Sequence, residues 1–218
     1  MDQKSFPEWY GNWGGVLMAI ALFALFTLGF LRPRAKAEWR AAGMAQAFFI
    51  SLFTEMFGFP LTIYLLSPLF GQDYLSFGLS ESHLWAFAVA QAGFVRLEIA
   101  VRLVMALSTL LLLIAAILLI RGWMHIYRAQ DGLVTHGLYA FLRHPQYVGL
   151  ILGVVAFNIQ WPTFLTLLMA PVLIIMYIRL AKREEKELEE RFGEVFLDYQ
   201  RRVPGFLPRF FARRETWP

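Results

Sequence analysis

The sequence predicts an all-α integral membrane protein: a bundle of about five transmembrane helices followed by an amphipathic helix near the C-terminus. Of the 218 residues, 58% are hydrophobic and only 17% are charged. A soluble domain is usually about half apolar and roughly a quarter charged. Several apolar runs approach the roughly 20 residues that a membrane-spanning helix needs. Lysine and arginine collect between alternate runs, which is typical of cytoplasmic loops.

The first two predicted spans cover residues 13–31 and 44–70. The second span contains Glu55 and Pro60, and we expect its helix to break near Phe59, the residue before the proline. An ionisable residue inside a span usually faces the protein interior and often marks function. Glu55 is therefore a candidate for the substrate cavity, and a bond to a backbone amide freed by the break is the alternative.

The third predicted span covers residues 98–120, of which residues 103–120 are uninterrupted by charge. A shorter apolar segment, residues 83–94, precedes it and suits an interfacial or re-entrant helix. The fourth and fifth spans, residues 147–160 and 163–180, are joined by a tight turn at residues 161–162. Because the fourth run rises only about 21 Å as a helix, we expect this helical hairpin to tilt or to cross the bilayer incompletely.

The polar segment at residues 181–202 has the pattern of a charged amphipathic helix. Its apolar side chains recur at helical spacing: Leu188, Phe192, Val195 and Tyr199. The basic residues indicate the orientation of the bundle, since they favour the cytoplasmic side. They cluster after the first span, after the third span and in the C-terminal region: Arg32, Arg34, Lys36, Arg40, Arg121, Arg128, Arg143, and the run from Lys182 onward.

This distribution predicts an N-terminus outside and a C-terminus in the cytoplasm, and we expect a prokaryotic inner membrane. The C-terminal helix would then share the cytoplasmic side with the loop at residues 121–146. The ends of a helical hairpin lie close together, so Arg143 and His144 should neighbour Glu184 and Glu185. An arginine, a histidine and two carboxylates beside a hydrophobic bundle suit a polar cofactor that meets a lipid-soluble substrate.

Several classes of site are excluded by composition. The chain has no cysteine, so it holds no disulfide, thiolate metal site or cysteine nucleophile. No glycine-rich loop joins a strand to a helix, which excludes a Rossmann-type nucleotide site. His136 and His144 are eight residues apart, with a proline directly after the second, which is not a recognised ligand spacing, so we expect no metal. No nucleic-acid partner is expected, and the sequence leaves the oligomeric state open.

Two motifs carry a resemblance to a known family. Residues 137–149, GLYAFLRHPQYVG, follow the pattern G-x-Y-x-x-x-R-H-P-x-Y-x-G. Residues 184–208 follow E-E-x-x-L-x-x-x-F-G, then Y-x-x-x-V-P-x-x-x-P. Together they resemble the isoprenylcysteine carboxyl methyltransferases, whose wider circle includes integral membrane phospholipid methyltransferases. Phe196 stands where the family often has tyrosine.

The resemblance covers residues 130–209, whereas the first 120 residues resemble the family only in being hydrophobic spans. It implies two regions: residues 1–120, which form the substrate side, and residues 121–218, which bind the cofactor S-adenosylmethionine. The residues that it implies for the cofactor are His136, Gly137, Tyr139, Arg143, His144, Pro145, Tyr147, Gly149, Glu184 and Glu185. Arg143, His144 and Glu185 are the implied catalytic residues, with Arg143 expected to bind a carboxylate in a bidentate fork.

The acceptor of the methyl group stays open between a carboxylate, an amine and a thiol on a lipid-like or small hydrophobic molecule. Two rival functions also stay open. A sterol-type membrane reductase would use NADPH, but its motif reads closer to H-P-N-Y-x-G-E, and here Gln146 and Leu150 replace the asparagine and the glutamate. A non-enzymatic membrane scaffold explains the spans but not the paired motifs.

Overall fold

The computed structural model describes residues 13–26, 36–58, 61–66, 84–128 and 132–207, together with Gly11. Within these residues the chain is helical and contains no strand, as predicted. We number the α-helices in chain order: α1 Trp13–Phe26, α2 Lys36–Phe53, α3 Leu61–Leu66, α4 Leu84–Gln91, α5 Leu97–Arg128, α6 Pro145–Gln160, α7 Phe164–Phe192 and α8 Glu194–Arg202. A π-helical turn, Thr54–Gly58, follows α2, and a short 3₁₀ helix, Gly137–Ala140, precedes α6.

The hairpin of α6 and α7 begins and turns where local chemistry favours it. Pro145 is the first residue of α6, a position where its missing N–H removes no helical hydrogen bond. At the turn, the Thr163 hydroxyl accepts a hydrogen bond from the Thr166 N–H at 3.1 Å. The Thr166 hydroxyl accepts one from the Thr163 N–H at the same distance. This reciprocal pair caps the start of α7.

The C-terminal helix differs from its predicted boundary at residue 180. The charged residues after Leu180 continue α7 without a break as far as Phe192, because alanine, lysine, arginine, glutamate and leucine all favour helix. The break falls at Gly193, whose positive φ of 54° few other residues adopt. The short amphipathic helix α8 follows, with Phe196 and Tyr199 buried.

The region around Glu55 also differs in detail from the prediction. Helix α2 begins at Lys36, within the segment expected to be a loop, and it ends in the π-helical turn. The expected break at Phe59 and Pro60 lies outside the described residues, and α3 resumes at Leu61. Arg32 and Arg34 of the predicted basic loop lie outside them as well.

The chain forms two compact units. The first comprises residues up to Leu112 together with Val154–Met176, and the second comprises Leu113–Gly153 together with the residues from Tyr177 onward. These units do not follow the predicted division at residue 120, because the hairpin contributes to both. That division concerns function, and it stays a prediction.

Two helices in the described part of the chain are long and apolar enough to cross a membrane: Leu97–Ile126 and Phe164–Phe192. Two shorter apolar helices accompany them, Trp13–Leu22 and Pro145–Gln160. Large apolar side chains of α5 point outward, and Leu103 is 60% and Leu113 58% exposed. A helix in a soluble core would bury such side chains, whereas a lipid-facing helix exposes them.

Candidate functional site

The centre of the second unit is an ion pair between Arg143 and Glu185. The Arg143 Nε donates to Glu185 Oε1 at 2.9 Å, and Arg143 Nη2 donates to the same oxygen at 2.7 Å. Both side chains are mostly buried, with 13% and 16% exposed. The carboxylate that the sequence led us to expect in the arginine fork is therefore one of the protein's own.

The C-terminal turn after α8 closes over this pair. The Arg143 Nη1 donates to the carbonyl oxygens of Gln200, at 3.0 Å, and of Val203. The backbone N–H of Arg143 donates to the Pro204 carbonyl at 2.9 Å. A Cβ on Gly205 would lie 3.5 Å from Arg143 Nη2, so this turn is in van der Waals contact with the guanidinium. Arg143 thus joins the loop before α6 to α7 and to the turn after α8.

His144 lies between the two glutamates of α7 and is buried. Its Nε2 donates to Glu185 Oε1 at 2.8 Å, and its Nδ1 lies 3.7 Å from Glu184 Oε2. Burial lowers the pKa of His144, and the hydrogen bond to Glu185 offsets this effect only in part. The imidazole is therefore neutral at pH 7. Glu184 remains about half exposed and faces outward from the pair.

Four aromatic side chains lie in a row in the second unit, and one of them, His144, contacts the Glu185 carboxylate. The His144 ring lies 5.5 Å from the Phe206 ring and 5.8 Å from the Tyr147 ring, measured between centroids. The Tyr147 ring in turn lies 6.3 Å from that of Tyr177 on α7. The result is a row of rings that begins beside Glu185.

A second cluster forms around the 3₁₀ helix. Gly137 has a φ of +65°, and a Cβ there would lie 2.3 Å from His125 Nε2. The His125 ring lies 5.5 Å from that of His136, and its Nδ1 donates to the Arg121 carbonyl at 2.6 Å. His125, to which the sequence assigned no role, therefore packs directly on His136 and on Gly137, the first residue of the first motif.

Helix α8 fixes this second cluster through Tyr199. The buried Tyr199 hydroxyl donates to the Tyr139 carbonyl at 2.6 Å, and the Tyr139 hydroxyl donates to the Gly122 carbonyl at 3.4 Å. Burial raises the pKa of both phenols, which keeps them protonated as donors. The 3₁₀ helix is thus tied to α5 on one side and to α8 on the other.

Two further residues of the first motif determine where α6 begins and how closely it packs. Pro145 starts the helix and is fully buried. A Cβ on Gly149 would lie 2.8 Å from Leu119 Cγ and 3.0 Å from the Ala115 carbonyl oxygen. Glycine is therefore required at this position for the close approach of α5 and α6. The resemblance implied Gly149 for cofactor binding, and helix packing gives a separate reason for a glycine here.

Glu55 belongs to the first unit and does not join these clusters. Its Oε2 accepts a hydrogen bond from the Thr62 N–H at 2.9 Å, an amide left free at the start of α3. Its Oε1 is buried and accepts no hydrogen bond from the described residues. The Thr62 hydroxyl accepts from the Phe164 N–H, which links this cap to the start of α7.

Several residues of the site were not identified from sequence: His125, Tyr177, Gln200, Gly205 and Phe206. Gln200 contributes its carbonyl to Arg143 and its side-chain amide, at 3.3 Å, to Glu185 Oε2. Gln200 and Phe206 lie within or beside the second motif, so their place in the pattern was the available signal. For Tyr177, the only available signal was its spacing of eight residues from Glu185, which places both on one face of a helix.

A comparison with family models matches residues 95–195 to the phospholipid methyltransferases. The resemblance predicted from the two motifs is thereby confirmed over this region. No solved structure matches the chain at a comparable level of significance.

Curated relatives match less than half of the chain. The cobalt-zinc-cadmium resistance protein CzcN of Cupriavidus metallidurans is 34% identical over 44% of this chain and 47% of its own length. Methanethiol S-methyltransferase 2 of Bradyrhizobium diazoefficiens is 39% identical over 36% of this chain and 30% of its own. Protein-S-isoprenylcysteine O-methyltransferase of Schizosaccharomyces pombe is 35% identical over 35% and 33%. The chain therefore spans less than half the length of these relatives.

Proposed function

From the family match over residues 95–195, we propose that this chain is an integral membrane methyltransferase. It transfers a methyl group from S-adenosylmethionine to a lipid-like or small hydrophobic acceptor at the cytoplasmic face of the inner membrane. The bundle has five spans, with the N-terminus outside and the C-terminus inside. The observation that carries the proposal is the cluster of Arg143, His144 and Glu185, where the two motifs of the resemblance meet.

The donor and acceptor groups of the second unit fit the cofactor. S-adenosylmethionine carries a sulfonium, an ammonium and two ribose hydroxyls, which carboxylates and aromatic faces bind well. Glu184 is half exposed beside buried His144, and Glu185 Oε2 accepts a hydrogen bond from the Gln200 side-chain amide at 3.3 Å. These two carboxylates accept the ammonium and the hydroxyls. Four of the five N–H groups of Arg143 donate within the protein, and we propose that the fifth, on Nη2, binds the carboxylate of the cofactor or of the substrate.

The chain's own residues supply position, charge and a proton acceptor. When bound, S-adenosylmethionine supplies an electrophilic methyl group, and methyl transfer then depends on alignment of the acceptor lone pair with the methyl–sulfur bond. A carboxylate acceptor is already ionised near pH 7 and loses no proton. An amine or a thiol must lose one, and the neutral His144 imidazole or the Glu184 carboxylate takes it.

The acceptor stays open between these three groups. The relatives' names include acceptors that are a thiol and a prenylcysteine, and the family model is named for phospholipids. The described residues contain no group of three metal-ligating side chains, so no observation favours metal handling in spite of the resistance protein among the relatives. The single candidate for the substrate side remains Glu55, which lies in the first unit.

Calorimetric titration of the detergent-purified protein with S-adenosylhomocysteine tests the proposal, with NADPH in parallel. We expect saturable binding of S-adenosylhomocysteine, which Glu184→Gln should weaken. Glu187→Gln should leave it unchanged, because the Glu187 carboxylate is exposed and pairs with Arg183. Methyl-label transfer to a prenylcysteine, an aminolipid and an alkanethiol then identifies the acceptor. Binding of NADPH alone would establish the reductase instead, and binding of neither would favour the scaffold.

A further inference from the structure

The row of rings beside Glu185 ends on a residue that neither motif contains. Tyr177 is 5% exposed and lies on the same face of α7 as Ala181 and Glu185, at successive spacings of four residues. Ala181, which lies between them on this face, is fully buried and carries only a methyl group.

Tyr177 is connected to the cofactor-facing carboxylates through a continuous series of contacts. Glu185 accepts a hydrogen bond from His144 at 2.8 Å, the His144 ring lies 5.8 Å from Tyr147, and Tyr147 lies 6.3 Å from Tyr177. The series passes from the carboxylate of Glu185 to two electron-rich tyrosine rings, all within one compact unit.

A sulfonium cation needs such faces for a physical reason. It has no N–H or O–H group, so it cannot donate a strong hydrogen bond to a neighbouring acceptor. A carboxylate next to its methyl group would itself be a nucleophile and would compete with the acceptor. An aromatic face stabilises a cation through the ring quadrupole without presenting an anionic oxygen.

We propose that Tyr177, together with Tyr147, forms the aromatic surface that binds the sulfonium of the cofactor, while Glu184 and Glu185 bind its ammonium and hydroxyls. This inference rests on the proposed function. It adds a binding residue outside both motifs and gives separate tasks to the carboxylates and to the rings. A tyrosine that only filled space would not distinguish a charged ligand from a neutral one of the same shape.

The comparison of two ligands provides the test, because S-adenosylmethionine carries the positive charge and S-adenosylhomocysteine does not. Dissociation constants for both are measured by calorimetry with the wild type, Tyr177→Phe and Tyr177→Leu. We expect Tyr177→Leu to weaken S-adenosylmethionine binding about thirtyfold, the size of a desolvated cation–π contact, and to change S-adenosylhomocysteine binding less than about twofold. Tyr177→Phe keeps the aromatic face and should retain both affinities.

The outcomes separate this inference from the proposed function. If the wild type binds neither ligand, the proposed function fails and the inference fails with it. If both ligands bind and Tyr177→Leu weakens them equally or not at all, only the aromatic surface is refuted. Should Tyr177→Leu not fold, Tyr147→Leu is measured in its place, and an unchanged ratio of the two affinities overturns the inference in the same way.

Discussion

Arg143 donates two hydrogen bonds to a single carboxylate oxygen of Glu185, a residue 42 positions later in the chain. His144 donates a third to the same oxygen. Two neighbouring residues of the loop before α6 therefore converge on one atom of α7, at the open end of the hairpin. The remaining hydrogen bonds of the guanidinium reach the last turn of α8, at Gln200, and the turn after it, at Val203. This convergence makes Arg143 a structural centre of the site, beside its proposed role in ligand binding.

Substitution of Arg143 should reduce stability as well as binding. Arg143→Ala leaves Glu185 buried without its main cationic partner, and we expect the free energy of unfolding to fall by about 3 kcal/mol. Arg143→Lys keeps the charge but not the planar fork, so its loss should be intermediate. Unfolding in detergent, followed by circular dichroism, measures both.

Arg183→Ala serves as the matched control for this experiment. Arg183 pairs with Glu187 at 3.2 Å, and more than half of each side chain is exposed. Removal of an exposed i,i+4 pair should change the free energy of unfolding by less than about 0.5 kcal/mol. An Arg143→Ala variant as stable as Arg183→Ala would show that the buried pair does not hold the C-terminal turn.

The sequence predicted the helical class and the meeting of the two motifs because both follow from local rules. Apolar runs of sufficient length define helices, and a hairpin necessarily brings its ends together, which places Arg143 near Glu185. The partners of each side chain depend instead on distances across the unit. An arginine beside a cofactor motif can bind a ligand or a protein carboxylate, and nothing in its spacing separates the two.

The sequence failed to identify other residues of the site for the same physical reason. His125 follows an apolar helix like many interfacial histidines, and only the positive φ of Gly137 and the close approach of that backbone reveal the contact. The predicted end of the fifth span at residue 180 was placed by a change in polarity. A helix responds to backbone propensity instead, and it continues until Gly193.

Gly137→Ala should be more destabilising than a glycine substitution at a similar backbone angle elsewhere. Gly137 and Gly193 have φ values of 65° and 54°, but only at Gly137 does a Cβ meet another residue, His125. Alanine at Gly193 should cost about 1 to 2 kcal/mol from the backbone alone, and alanine at Gly137 should cost more because it also displaces the ring. Denaturant titrations in detergent compare the two variants.

A double variant isolates the contribution of the His125 ring. His125→Ala removes the ring nitrogen that a Cβ at residue 137 would meet. Gly137→Ala should therefore lower the free energy of unfolding less in that background than in the wild type. Equal costs in the two backgrounds would mean that the ring moves aside freely, and would remove the packing reason for glycine at this position.

Two tyrosine-to-phenylalanine substitutions should differ according to their hydrogen bonds. Tyr199→Phe removes a buried 2.6 Å bond to the Tyr139 carbonyl, and we expect it to cost about 1 to 2 kcal/mol. Tyr139→Phe removes a 3.4 Å bond to the Gly122 carbonyl and should cost clearly less. Thermal unfolding of both variants, with S-adenosylhomocysteine affinity as the second measurement, makes the comparison. A larger effect of Tyr139→Phe would contradict the assignment of Tyr199 as the tie between α8 and the 3₁₀ helix.

The pH dependence of stability should reveal the buried histidine. Burial lowers the pKa of His144 below its ordinary value of 6.5, so the unfolded chain takes up a proton on this residue at a higher pH than the folded protein does. Stability rises with pH wherever the unfolded state binds more protons, so the contribution of His144 is fully present above about pH 7 and is lost as the pH falls below 6.5. The groups that face the ring are Arg143, Glu184 and Glu185, and the two glutamates oppose this loss without reversing it.

His144→Gln provides the comparison, since glutamine donates an N–H to Glu185 and does not titrate. The free energies of unfolding of the wild type and of this variant are measured in detergent between pH 5 and pH 8. We expect the advantage of the wild type to be constant at the upper end of this range and to shrink steadily toward the lower end. An advantage that grew as the pH fell would mean that the folded protein favours the imidazolium, with His144 paired as a cation to Glu185, and His144 would then be unable to accept a proton from an amine or thiol substrate.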